Sequence, residues 1–209
     1  MTPLTRFIIR VILLVLPIFG LWWISIPVIL QILAVPVSIL TTHWFEREQV
    51  TIEVTEERWL VRTKILEKQP LEQKPQILML KLESKAFVSF IMGLPLLWIL
   101  LFAASGTLKE KLWNLLIGNV FLSIPIILTL HIRIVYFLGI LMSGDNVGQI
   151  LVMEGLYQTV QPYSAEMLAI FNEFTKLMAY INFLVLPAVI SYFLRREFVS
   201  HLLKVRAAS

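Results

Sequence analysis

The sequence predicts an α-helical integral membrane protein: four transmembrane helices, with a small three-stranded antiparallel β segment inserted between helices 1 and 2. Three observations carry the prediction. First, 58% of the 209 residues are hydrophobic and only 15% are charged, against roughly 45–50% apolar and about 25% charged in soluble domains. Second, four stretches free of Asp, Glu, Lys, Arg and His approach or exceed the length of about 20 apolar residues that a helix needs to cross a hydrocarbon core of roughly 30 Å. Third, the chain between the first two stretches switches to period-two alternation rich in β-branched residues, the pattern of half-buried strands.

The first apolar stretch, Val11–Thr42, is longer than one crossing needs and contains Pro17, Pro27 and Pro36. A crossing at about Phe7–Leu30 accounts for most of it. Gln31–Leu40 is expected to be a kinked or interfacial extension, because each proline removes a backbone hydrogen bond. The stretch is too long for the apolar part of a signal peptide and closes on no A-x-A-like site, so the helix is expected to stay uncleaved.

Thr41–Lys85 carries eight basic and eight acidic residues. Within it, Val50–Leu66 reads as two strands turning at Glu56-Glu57, and Ile77–Leu82 supplies a third. Three strands are about the minimum for an independent sheet. Ala86–Leu108 is the second span, and Leu112–Leu130 is the third, with an apolar continuation to Met142. Leu177–Leu194 is the fourth, extended backward to a helix start near Ser164. Ser164 suits an N-cap, and Glu166 suits the positive end of the helix dipole. Residues 143–163 read as an outer loop with one short interfacial helix, punctuated by Gly144, Gly148, Gly155 and Pro162.

The domain organisation that follows is a first helix with its extension over residues 1–40, an outer β-rich segment over 41–85, and helices 2–4 with a basic tail over 86–209. Arg6 and Arg10, Lys109 and Lys111, and Arg195 with Arg196 fall on one side of four spans. Basic flanks mark the cytoplasmic side, so both termini are expected in the cytoplasm. The same rule explains the surplus of 18 basic over 14 acidic residues without nucleic acid, which is excluded as a partner.

The chain has no cysteine and only three histidines, His43, His131 and His201, with no H-x-x-x-H pair. Disulfides, thiolate chemistry and a helical metal pair are thereby excluded, and no cofactor is expected. Serine catalysis needs a base within hydrogen-bond reach, and no G-x-S-x-G setting is present. An enzymatic reading would require at least two outer-face polar residues to converge, for instance Asp145 or Glu154 with His43. An accessory protein is the better reading.

The densest polar pattern precedes Pro187 on the fourth helix: Asn172, Glu173, Lys176, Tyr180 and Asn182. Spacings of three and four bring Glu173, Lys176 and Tyr180 to adjoining parts of one face. Together with Asn172, and with Arg133 at the end of the third span, they form the candidate site for a partner helix or a lipid, since ionisable groups at membrane depth are costly and often functional. The alternative is that they stand solvated above the bilayer, with Arg133 snorkelling to headgroups. His43, beside Trp44 and Phe45, reads as part of an interfacial belt.

The order of features resembles the exosortase H-associated membrane proteins. The resemblance rests on Arg6-Phe7, LVLPIFGLWW over Leu14–Trp23, Ile26-Pro27, Pro36, Val61-Arg62-Thr63, Gly93-Leu94-Pro95-Leu96, Tyr180, Leu186-Pro187 and the closing Arg195-Arg196-Glu197-Phe198. It implies a small multi-pass protein of the bacterial inner membrane. It also implies a helper role beside an exosortase, a membrane cysteine protease or transpeptidase acting on C-terminal sorting signals. The catalytic thiol would belong to that partner. The alternative function is a carrier or lipid-binding component of a transport or secretion assembly.

Overall fold

The computed structural model describes residues 2–45, 50–55, 58–67, 77–143, 147–151, 157–159 and 163–196. The predicted turn at Glu56-Glu57, the connector with Pro70 and Pro75, Asp145, Glu154 and the tail with His201 lie outside them. Four helices are long and apolar enough to cross a membrane: Pro3–Trp44, Ser84–Ala103, Leu108–Met142 and Ala165–Leu194. The described chain packs as two compact units. One takes in Met1–Ile26, Val88–Ile126 and Met178–Ser209, and the other Pro27–Phe87 and Ile127–Leu177.

Helix α1 (Pro3–Trp44) runs as helix over 42 residues, the expected extension over residues 31–40 included. At 1.5 Å per residue it spans about 63 Å, roughly twice a hydrocarbon core. The prolines do not end it. In lipid the helix is the only conformation that satisfies the remaining backbone groups within one segment.

In the first unit, a short helix α2 (Val88–Ile91) leads into α3 (Gly93–Ala103). Leu94, Leu97, Ile99, Leu101 and Ala103 are all buried, as expected for a helix that is apolar on every side. Gly93 is required here, since a Cβ would overlap the carbonyl oxygen of Asn182 and touch Pro187 at 3.2 Å. Asn182 lies in a π-helical turn, Ile181–Val185, between α5 (Ala165–Tyr180) and α6 (Leu186–Leu194). Inside this unit the start of α4 (Leu108–Ser143) brings Gly118 close to Leu97, whose side chain would stand 3.1 Å from a Cβ added there.

In the second unit, β1 (Val50–Val54), β2 (Arg58–Glu67) and β3 (Ile77–Glu83) form the predicted antiparallel sheet, with Val50 opposite Thr63 and Trp59 opposite Leu82. Alternation sorts the faces. Val50, Trp59, Val61, Thr63 and Leu82 are buried, whereas Thr51, Glu53, Arg62 and Lys81 are exposed. The Trp59 ring packs on Phe87 with centroids 4.6 Å apart, and Glu53 pairs diagonally with Arg62 at 3.0 Å.

Between α4 and α5 the described residues differ from the expected loop with a short helix. They hold two strands and no helix: β4 (Val147–Leu151) and β5 (Tyr157–Thr159), paired with each other. β4 also pairs with the far end of β2, Ile65 opposite Ile150 and Glu67 opposite Val147. β4 thus takes up backbone groups at the end of β2 beyond Thr63, where the described pairing with β1 stops.

Candidate functional site

Within the second unit, the C-terminal half of α4 buries Leu130, Ile134, Leu138 and Met142, a stripe with spacing four. That periodicity turns Arg133 out of the stripe and toward α5. The Arg133 guanidinium lies 4.4 Å from the centre of the Phe137 ring and 5.1 Å from that of Tyr136, one turn further along the same helix. Each such contact is worth about 0.5–1 kcal/mol at a partly exposed site.

From there a polar ladder crosses to α5. Arg133 Nη1 donates to Asn172 Oδ1 at 3.1 Å, Asn172 Nδ2 donates to Glu173 Oε1 at 3.4 Å, and Lys176 Nζ donates to the same oxygen at 2.7 Å. Four of the five predicted site residues therefore meet in one connected network. Glu173 and Lys176 are more than half exposed, so their pair contributes only about 0.3–0.5 kcal/mol to stability. Tyr180, 71% exposed, ends α5 and belongs to the other unit.

Beside the ladder lies a feature that sequence reasoning missed. A cavity of about 540 Å³ is lined by Leu40, His43, Trp44, Leu128, His131 and Phe171, among others. His131 is buried, its Nδ1 shares a 3.0 Å hydrogen bond with the buried Thr41 hydroxyl, and its ring meets that of Trp44 edge-on, with centroids 5.6 Å apart. Trp44 Nε1 in turn donates to the Tyr163 hydroxyl at 3.2 Å. His43, read from sequence as part of an interfacial belt, lines this cavity. The signal available in sequence is a histidine inside an apolar helix, but its partner is 90 residues away. Neither Arg133 nor Lys176 lines the cavity. Among the described residues no group of three His, Asp or Glu side chains is placed to hold a metal ion.

The model of the exosortase H-associated membrane protein family matches residues 1–195, nearly the whole chain. The chain belongs to that family. The short motifs up to Arg195 on which the resemblance rests lie within the matched residues, and the ladder, the cavity and the sheet are features of an exosortase H-associated membrane protein. No curated protein and no solved structure matches this member of the family.

Proposed function

We propose that this exosortase H-associated membrane protein is a non-catalytic accessory subunit of the bacterial inner membrane. Both termini are cytoplasmic, and the protein binds an exosortase-type membrane partner. Family membership supports the association. The observation that carries the binding reading is the ladder Arg133–Asn172–Glu173–Lys176, which brings two cations and a carboxylate together on α4 and α5. Charged groups held this way discriminate between partners more than they add affinity. The partner supplies the catalytic thiol, which this chain cannot, having no cysteine.

Solubilisation of native membranes in mild detergent tests the reading. An exosortase should co-purify with the tagged chain in fixed ratio, and Arg133→Ala combined with Lys176→Ala should reduce its recovery at least severalfold. A homogeneous monomer carrying no second membrane protein would overturn it. A second reading, lipid binding, is favoured by the largely apolar cavity at His131, whose volume falls in the range of about 300–1,000 Å³ typical of ligand sites. Lipid extraction from the purified chain, compared with a Leu128→Trp variant that fills the cavity, decides between them.

A further inference from the structure

In the first unit the chain builds a second polar site, remote in sequence from the ladder. Arg195 caps α6, its backbone N–H donating to Ser191 O and Tyr192 O at 3.0 and 3.3 Å. Its side chain is only 10% exposed. Nη1 lies 3.5 Å from Glu110 Oε2, a long contact. That carboxylate is already committed. Glu110 Oε2 accepts the Thr107 backbone N–H at 3.2 Å while Thr107 Oγ1 accepts the Glu110 N–H at 3.3 Å, the reciprocal pattern of a capping box at the start of α4.

Nε and Nη2 of Arg195 are buried and have no acceptor among the described residues. They form one edge of the planar guanidinium, the fork that accepts two oxygens of a phosphate or carboxylate. A guanidinium cannot relieve the deficit by losing its proton. The surroundings are cationic as well. Lys111 Nζ donates to Phe102 O at 2.7 Å, and the charges of Arg10 and Arg195 both bear on that ammonium. Lys111 and Glu110 both lie in the first turn of the 36-residue helix α4, at its positive pole, and Arg195 has only the long contact to that carboxylate. Gly106, at φ +137°, lets the α3–α4 turn lie against the guanidinium, where a Cβ would stand 2.8 Å from Nη1.

We infer that Arg195, with Lys111 and Arg10, forms a binding site for the phosphate of an anionic phosphodiester. The anion enters by displacing the long Arg195–Glu110 contact, which frees the guanidinium to turn its unpaired fork outward. An anionic lipid is the source that fits best. Trp113 and Leu116 on α4 and Phe193 on α6 lie close in sequence to Lys111 and Arg195 and are more than half exposed, an apolar surface for acyl chains below the headgroup.

The test uses the purified full-length chain in zwitterionic detergent, with dioleoylphosphatidylglycerol, dioleoylphosphatidylcholine and inorganic phosphate as separate probes. Thermal unfolding and native mass spectrometry are the readouts. Phosphatidylglycerol should raise the melting temperature and remain bound one per chain, while phosphatidylcholine should do neither. Arg195→Lys, which keeps the charge and loses the fork, should weaken binding about tenfold, the loss of one charge-assisted bond. Arg196→Gln, an exposed neighbour, should leave it unchanged. If Arg195→Lys does not fold, Lys111→Gln carries the same expectation. Stabilisation by millimolar inorganic phosphate that Arg195→Lys or Lys111→Gln abolishes would assign the site to free phosphate and overturn the lipid assignment. No response to any anion, an unchanged affinity in the folded fork or Lys111 variant, or an equal loss in Arg196→Gln would overturn the inference as a whole.

Discussion

Thr41 and His131 illustrate how single side chains become committed inside an apolar helix pair. Both are buried, and each supplies the other's polar contact. Thr41→Val should therefore destabilise the protein by about 1–3 kcal/mol, the cost of leaving the imidazole without its partner, whereas Thr41→Ser should be nearly silent. Denaturant unfolding of the purified protein in detergent checks both. Trp59 carries a larger load. Fully buried and packed against Phe87, it should cost about 3–5 kcal/mol on conversion to alanine. Neither the Thr41–His131 nor the Arg133–Asn172 partnership is legible in the sequence, because they join residues 90 and 39 positions apart. What the sequence does expose is the cost of placing such groups in apolar surroundings, and that cost marks Arg133, Asn172, Glu173 and Lys176.

At the level of elements, the legible features are those with a local period. Alternation over residues 50–66 and 77–82 yields β1, β2 and β3 nearly to the residue. By contrast, β4 has no strong alternation of its own and owes its strand conformation to pairing with β2, which lies far earlier in the chain. Packing between α3 and the π-turn likewise depends on contact across the chain. Gly93→Ala should destabilise by about 1–3 kcal/mol or more, because the added methyl meets the rigid backbone of Asn182 rather than a mobile side chain. Gly20→Ala makes the matching control. Nothing lies within 4 Å of a Cβ there, and in a helix interior the change should stabilise by about 0.5–1 kcal/mol. Thermal melts of the two variants should move in opposite directions.

For the whole molecule, a chain without cysteine is a clean background for single-cysteine labelling. In the proposed orientation Thr51→Cys should react with a membrane-impermeant maleimide in intact spheroplasts, and Ser105→Cys should react only after lysis. Reversal of that pattern would invert the assignment of compartments. One constraint holds whichever compartment proves to be outside. Strand β2 precedes the second apolar helix and β4 follows the third, yet their backbones are hydrogen-bonded to each other. Such bonds cannot form through a lipid layer, so the polypeptide between Glu67 and Val147 must make an even number of passages. The parity of the path is written into one strand pair, and reporters fused into either insert must register the same environment.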